Sequence, residues 1–97
     1  MAKIRHVAIF TLKPGADASK FMDAVDRLRS TVSGFTACAY GVDAGLKTGN
    51  ADFGLSFDFD DEAAYQRWDT NVDHDRIRRD EVFPLVSGVM RVQFRLE

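Results

Sequence analysis

The chain has little of what several large classes of protein require. Its single cysteine, Cys38, cannot form a disulfide within the chain or a CxxC metal clip, which fits a reducing compartment. Its net charge of −2 at pH 7 offers no basic surface to phosphate backbones or anionic lipid, so we expect no nucleic-acid partner. No stretch reaches the roughly 18 apolar residues of a membrane span. These absences predict a cytoplasmic protein with no membrane partner.

Short motifs of the large nucleotide-binding and hydrolase classes are also missing. The loop GLKTGN, residues 45–50, lacks a phosphate-binding pattern such as GxxxxGK[ST], and no dinucleotide motif or Ser-His-Asp order is present. The N-terminal segment MAKIRHVAIF has too short an apolar run, interrupted by Arg5 and His6, to be a signal peptide. We therefore expect neither a cofactor nor a leader.

Composition favours one packed domain over residues 1–97. Hydrophobic residues make up 45% of the chain and charged residues 29%, which are ordinary values for a globular protein. A chain of this length buries only roughly 60–68% of the surface that it exposes when unfolded. Pairing with a second copy would therefore stabilise it.

Alternating apolar residues predict four strands, over residues 3–13, 35–42, 53–59 and 88–96. The first strand is apolar on both faces, which is typical of a strand that is covered on two sides. The third strand has the clearest two-residue period. In the last strand, Met90, Val92 and Phe94 share one face. Arg91 and Gln93 lie on the other.

Helical periodicity predicts three helices between these strands. Each has a residue that can cap its first turn: Asp17, Asp60 and Asp73. The first helix carries an apolar stripe from Phe21 to Val32 and ends at Gly34, which supplies the left-handed C′ position. The third helix runs to about Phe83 and stops before Pro84.

The resulting order, β-α-β-β-α(α)-β, is the split βαβ plan of ferredoxin-like folds. It predicts an α+β protein with a four-stranded antiparallel sheet that carries helices on one face. The opposite face would expose four residues: Val7, Ile9, Tyr40 and Val42. A patch of this kind predicts a homodimer formed through the sheets, although the polar second face of the third strand argues against it.

The two histidines are the candidates for chemistry. His74 follows the break between the second and third helices, and its ring would point toward the sheet. His6 shares the core-directed face of the first strand with Ile4 and Ala8, where a polar residue is unusual. If helix and strand pack as the topology requires, both rings could line one cavity. An imidazole with a reference pKa of about 6.5 takes and returns protons near neutrality, which makes His74 a candidate general base.

Other interpretations stay open. Both histidines could instead complete hydrogen bonds in the core, or hold a metal ion, but Asp73 and Asp75 diverge in direction on a helix and disfavour a metal site. Four large apolar side chains are core residues by default and could also wall a ligand site: Trp68, Phe21, Met22 and Phe83. The run DHDRIRRDE pairs acids with arginines at helical spacing, which predicts a solvated helix face.

Three segments together resemble the Dabb family, the stress-responsive A/B barrel proteins: IRHVAIFTLKPG, NADFGLSFDFDDEAAYQRW and DHDRIRRDEVFPLV. They follow the family's order over almost the whole chain. The resemblance implies a dimeric α+β barrel in which two four-stranded sheets face each other. Several members are known chiefly as stress-associated proteins, whereas the plant olivetolic acid cyclase uses this fold for a cofactor-free aldol cyclisation.

Carried over from that cyclase, the resemblance places the base at His74 and the first-strand histidine at His6. The position of the assisting tyrosine falls on Trp68, which has no acidic hydroxyl, and the family's His-Pro-x-His segment keeps only its last residue here. Two hypotheses follow. The chain binds a small apolar or aromatic molecule between sheet and helices, with cofactor-free cyclase or isomerase chemistry as the sharper form, or it is a non-catalytic stress-associated dimer.

Overall fold

The computed structural model describes residues 2–96, so the first and last residues of the predicted domain 1–97 lie outside it. The regular elements are β1 Lys3–Leu12, α1 Ala18–Thr31, β2 Ala37–Val42, β3 Phe53–Phe59, α2 Glu62–Asp69, α3 Val72–Ile77, a π-helical turn Arg78–Val82, a 3₁₀ turn Phe83–Leu85 and β4 Val86–Leu96. The strands form one antiparallel sheet in the order β2-β3-β1-β4. This topology confirms the predicted ferredoxin-like α+β fold, with strand bounds within two residues of those expected.

The cap of α1 is confirmed and that of α2 is displaced by one residue. Asp17 accepts a hydrogen bond from the backbone N–H of Ser19. Asp61, not Asp60, caps α2, because its carboxylate accepts from the N–H of Ala64 at 2.8 Å. Asp60 and Asp61 are adjacent and both can cap a helix, so the helix begins one residue later than predicted.

The predicted cap of α3 is wrong by two residues. Asn71 caps this helix, since its side-chain oxygen accepts from the N–H groups of Asp73 and His74 at 2.8 and 3.2 Å. Asp73 therefore lies in the first turn rather than before it. The regular helix ends at Ile77, before its expected end near Phe83, and the π-helical and 3₁₀ turns continue the helical segment to Leu85. Pro84 lies in the 3₁₀ turn, at a position where a missing N–H costs no hydrogen bond.

The end of α1 differs from the prediction by one position. The helix ends at Thr31, and the N–H of the C-cap residue Val32 donates to the carbonyl of Leu28. Gly34 therefore follows the C′ position instead of occupying it. Its φ of 114° still falls in the region that favours glycine.

The core lies between the helices and one face of the sheet. The alternate residues of β3 are buried there: Phe53, Leu55, Phe57 and Phe59. The ring of Phe57 is fully buried, 5.0 Å from that of Phe35 and 5.1 Å from that of Trp68, centroid to centroid. Aromatic packing around β3 therefore joins the sheet to α2.

The substitution Phe57→Ala should lower the free energy of unfolding by about 3–5 kcal/mol, because it removes a fully buried ring from a closely packed site. Urea denaturation at a fixed protein concentration measures this. The matched variant Phe57→Leu leaves a smaller cavity and should show a smaller decrease in the free energy of unfolding. Equal losses for the two variants would contradict a packing origin.

The second face of the sheet carries no helix, and two residues predicted to lie on it do not. Tyr40 and Val42 lie on the helix-facing side, because β2 pairs with β3 so that they stand opposite Leu55 and Phe53. The hydroxyl of Tyr40 donates to Asp26 of α1 at 2.7 Å. The prediction for these two residues is therefore wrong, because alternation along β2 defines two faces but not which of them meets the helices.

The helix-free side, called the open face below, is instead made apolar by β1 and β4. Its apolar residues are Val7, Ile9, Met90, Val92 and Phe94. They lie there because Val7 pairs with Val92 and Ile9 with Met90, opposite the buried side of β1. Ile9, Met90, Val92 and Phe94 are 43–76% exposed. An apolar area of this kind is characteristic of a surface that another molecule covers.

Two further properties bear on function. No helix within residues 2–96 is long and apolar enough to cross a membrane. In the same part of the chain, no group of three or more His, Cys, Asp or Glu side chains is placed to hold a metal ion.

Candidate functional site

A cavity of about 520 Å³ lies between the sheet and the segment from α2 to the 3₁₀ turn. This volume lies within the usual range for small-molecule sites. Its apolar wall comes from the sheet and α1, with side chains that include Phe10, Phe21, Val25, Leu28 and Leu55. Its polar groups come from β1, α2, α3, the π-helical turn and β4. The cavity therefore combines an apolar interior with a few polar side chains.

Six of the eight predicted site residues line this cavity: His6, His74, Trp68, Phe21, Phe83 and Ala8. The other two do not. Met22 packs against the edge of the core, and Ile4 lines a smaller hollow of about 200 Å³ near Glu62 and Arg95. Ile4 is on the same face of β1 as His6. It lies two residues nearer the N-terminal end of the strand, outside the cavity.

His74 is held by the first turn of α3 and by the preceding helix. Its Nδ1 lies 2.7 Å from the carbonyl oxygen of Trp68, and its ring packs 4.1 Å from the indole, centroid to centroid. Because a carbonyl oxygen only accepts hydrogen bonds, Nδ1 carries the hydrogen. The neutral ring then has its lone pair on Nε2, which makes Nε2 the basic nitrogen.

His6 has the opposite tautomer. It stands opposite Gln93 in the β1–β4 ladder, and the side-chain nitrogen of Gln93 donates to its Nδ1 at 2.8 Å. The neutral ring therefore carries its hydrogen on Nε2. Both imidazoles lie against Trp68, since the His6 ring is 5.6 Å from the indole. The site thus contains one basic ring nitrogen and one ring N–H donor.

Burial keeps both histidines neutral near pH 7. It lowers the pKa of His6 from 6.5 to about 4, against the opposing effect of Asp69. It also lowers the pKa of His74, although the hydrogen bond to the carbonyl of Trp68 acts in the other direction. A neutral His74 can accept a proton, and a neutral His6 can donate a hydrogen bond without being charged.

Acid should destabilise the fold through His6. Its pKa is about 4 when folded and 6.5 when unfolded, so stability is complete above pH 6.5 and falls as the pH drops toward 4. The expected loss between pH 7 and pH 5 is about 1–2 kcal/mol, after a discount for solvent that enters the cavity. Urea denaturation at the two pH values measures it.

The matched variant for this effect is His6→Asn, which keeps an acceptor for Gln93 but cannot titrate. Its loss between pH 7 and pH 5 should be smaller than that of the wild type by that 1–2 kcal/mol. Asp17 and Asp58, whose pKa values are lowered by hydrogen bonds from Ser19 and Arg5, titrate below this window. An identical pH dependence in variant and wild type would show that His6 is not responsible.

Tyr65 is a cavity residue that the sequence analysis did not identify as a site residue. It lies one turn before Trp68, and its ring is 5.5 Å from that of His6. Burial, assisted by the charge of Asp69, raises the pKa of Tyr65, so its hydroxyl keeps its proton. The site therefore contains a phenol, although Trp68 occupies the position of the cyclase tyrosine. The phenol belongs to Tyr65, one helical turn earlier.

Trp68 forms part of the cavity wall and is the only tryptophan in the chain. Within residues 2–96, its indole Nε1 is buried without a hydrogen-bond partner, which ordinarily costs about 1–3 kcal/mol. Because the chain has no other tryptophan, its NMR spectrum contains one indole N–H signal, and this signal reports on the wall of the site.

Four charged side chains also line the cavity: Asp69, Asp75, Arg78 and Arg91. Arg78 and Asp75 belong to the run that we expected to be a solvated helix face. That expectation holds for Asp75, which is exposed and pairs with Arg79 at 3.4 Å, whereas the side chain of Arg78 is only partly exposed. The π-helical turn begins at Arg78, whose guanidinium bonds Asp69 at 3.0 Å. Arg91 comes from β4, together with Gln93. The alternation of β4 signalled a polar face, but not that this face points to the helices.

The fold and the cavity define a ferredoxin-like α+β protein with a histidine-containing site between sheet and helices. The family model described as the Stress responsive A/B Barrel Domain, Dabb, matches residues 4–96. The chain therefore belongs to the Dabb family. None of the curated protein sequences matches it.

Solved structures share the fold over nearly the whole chain. A dimeric ferredoxin-like protein of unknown function from Thermobifida fusca is 26% identical, with a TM-score of 0.86 over 98% of this chain and 92% of that one. A Dabb family protein from Mesorhizobium loti is 29% identical, with a TM-score of 0.77 over 97% and 96% of the two chains. The hydroxynitrile lyase from Passiflora edulis is 12% identical, with a TM-score of 0.83 over 99% and 94%, a likeness that concerns the fold alone.

Proposed function

We propose that the chain forms a cytoplasmic homodimer whose cavity binds a small apolar or aromatic molecule and catalyses cofactor-free proton transfer, as a cyclase or isomerase does. The observation that carries this proposal is the pair of neutral histidines with opposite tautomers on the wall of one cavity. A base and a hydrogen-bond donor are the two groups that proton abstraction next to a carbonyl needs.

The proposed reaction begins at a carbon beside a ligand carbonyl. Nε2 of His74 takes the proton from that carbon, and the electron pair of the broken C–H bond moves onto the carbonyl oxygen. Nε2–H of His6 donates a hydrogen bond to the resulting enolate oxygen, and the neutral hydroxyl of Tyr65 is a second available donor. In a cyclisation, the enolate carbon attacks a second carbonyl of the ligand, whose oxygen then takes the proton from Nε2 of His74. In an isomerisation, the enolate is conjugated with a further carbon–carbon double bond, and the distant carbon of that bond takes the proton from Nε2 instead.

The apolar wall supports the ligand class. Side chains such as Phe10, Phe21 and Leu55 offer an aromatic or aliphatic body a dry surface, which contributes roughly 25 cal/mol for each Å² of apolar area buried. Exclusion of water also strengthens the hydrogen bonds made to the developing oxyanion. A hydrophilic ligand would lose its hydration without compensation along most of this wall.

Two lines of support favour the homodimer. The Thermobifida fusca protein is described as dimeric. The open face also leaves large side chains in water, with Met90 76% and Val92 54% exposed. A second copy that presents the same face would cover both surfaces at once.

Deuterium exchange at carbon tests the proposal with a defined probe, 4-phenylbutan-2-one, a small aromatic ketone. In D₂O near neutrality, the protein should exchange the protons beside the carbonyl at least about 10²-fold faster than free imidazole at the same concentration. Proton NMR measures the loss of signal. Absence of acceleration would overturn the catalytic part of the proposal.

The same samples distinguish the alternative of a non-catalytic stress-associated dimer. That alternative predicts no exchange and no ligand-dependent stabilisation of the form RT ln(1 + [L]/Kd). Stabilisation without exchange would leave a binding module. The proposed catalysis requires both ligand-dependent stabilisation and accelerated deuterium exchange.

A further inference from the structure

Arg91 is the one cavity-lining cation that the described chain leaves without an acidic partner. It lies on β4, opposite Ala8 and two residues before Gln93, so its side chain emerges on the helix-facing side. Within residues 2–96, no carboxylate lies at ion-pairing distance from it. This arginine is therefore available to a ligand.

The neighbouring arginines behave differently. Arg78, on the opposite wall, bonds Asp69 at 3.0 Å and Asp75 at 3.3 Å, and so uses both acidic groups that line the cavity. Arg95, four residues after Arg91 on the same face of β4, is paired with Glu62. The positive charge at this side of the cavity is therefore concentrated at Arg91.

The position of Arg91 relative to His6 suits a ligand with two oxygen-bearing groups. His6 stands opposite Gln93, so Arg91 is its diagonal neighbour across the β1–β4 pair, a separation of about 7–8 Å between residues. Both side chains donate hydrogen bonds. An oxyanion at Arg91 would therefore place the rest of a small molecule over His6 and against the apolar wall.

We infer that the ligand of this cavity is a carboxylate, whose oxyanion is bound by Arg91 while its apolar or aromatic body lies against the wall. The inference rests on the proposed function and adds a substrate class to it. The two parallel N–H donors of a guanidinium match the two oxygens of a carboxylate. A neutral ketone or amide offers only one acceptor oxygen and no charge, so it binds a guanidinium less strongly. Arg91 is itself exposed, so the preference for a carboxylate comes from this paired geometry and the charge, and the pair keeps part of its contact with water.

A titration followed through the single indole N–H signal of Trp68 tests the inference. The probes are 3-phenylpropanoate and its neutral isostere 3-phenylpropanamide, which differ in charge and not in the apolar body. In the wild type, the carboxylate should bind at least about 10-fold more tightly than the amide, the usual effect of a hydrogen bond to a charged group. ¹⁵N–¹H correlation spectra measure both dissociation constants.

Two variants complete the test. Arg91→Gln should reduce the preference for the carboxylate to less than about 2-fold. The control Arg95→Gln, which removes an exposed guanidinium from the same face of β4, should preserve it. Equal affinity for the two probes in the wild type, or an undiminished preference in Arg91→Gln, would overturn the inference but leave the proposed cavity intact. Failure of both probes to shift the Trp68 signal would overturn the inference together with the proposed binding function.

Discussion

The substitution His74→Asn is expected to slow deuterium exchange of 4-phenylbutan-2-one by about 10²–10⁴-fold, the usual contribution of a positioned general base. In the wild type, Nδ1 of His74 lies 2.7 Å from the carbonyl oxygen of Trp68. The amide nitrogen of asparagine can replace Nδ1 as the donor to this oxygen. No basic atom then remains at the position of Nε2. The variant therefore removes the proposed base and retains the local hydrogen bond.

A matched control lies one residue earlier on the same helix. Asp73 is exposed and does not line the cavity, so Asp73→Asn should exchange the ketone at the wild-type rate. Urea denaturation and the indole signal of Trp68 show whether each variant keeps its fold. Retention of the wild-type exchange rate by a folded His74→Asn protein would exclude His74 as the base.

The pH dependence of exchange offers a second readout of the same group. Because burial lowers the pKa of His74, the unprotonated base should persist below the ordinary histidine value of 6.5. The rate should therefore stay on a plateau through neutral pH and fall only in more acidic solution. A group with an unshifted pKa would begin to lose activity nearer 6.5.

Sequence reasoning located the histidines because local patterns decide their positions. The two-residue period of β1 places His6 on the face that Ala8 and Phe10 bury, and a helix break followed by a short helix turns His74 inward. Both rules depend on neighbours within a few residues. The fold class followed in the same way, from the order of the periodic segments.

Pairing across the sheet could not be derived from such local rules. A strand's alternation defines two faces but not which one meets the helices, and this ambiguity misplaced Tyr40 and Val42. The same ambiguity concealed Arg91 and Gln93. Only the register with β1 shows that the polar side of β4 faces the cavity, so Arg91 and Gln93 could be assigned to the site only from the pairing of the strands.

The register also resolves the objection that the third strand is too polar for a dimer. Asp58 lies on the open face, but Arg5 binds it through two N–H groups at 2.8 and 2.9 Å. Asp52 directly precedes β3 and, by alternation, shares a face with Ser56. Its carboxylate accepts a hydrogen bond from the backbone N–H of Leu12 at 2.7 Å. These carboxylates are already satisfied within the chain, so a second copy can cover the face without leaving them unpaired.

The substitution Val92→Asp should therefore convert the proposed dimer into a monomer. Val92 is 54% exposed and pairs with Val7 in the middle of the open face. In a two-fold symmetric dimer the change places two unpaired carboxylates in one interface, each at a cost of several kcal/mol, which raises the dissociation constant by at least about 10³-fold. Sedimentation equilibrium at micromolar concentration should give twice the 10.9 kDa chain mass for the wild type and 10.9 kDa for the variant.

The chain offers a closely matched control in Val42→Asp. Val42 is also a valine on an edge strand and is 50% exposed, but it lies on the helix-facing side of the sheet. Because this substitution adds the same charge outside the open face, the protein should remain a dimer. Dissociation by both variants would point to a general effect of negative charge, and a monomeric wild type would overturn the dimer itself. Loss of the dimer in Val92→Asp alone would identify the open face as the interface.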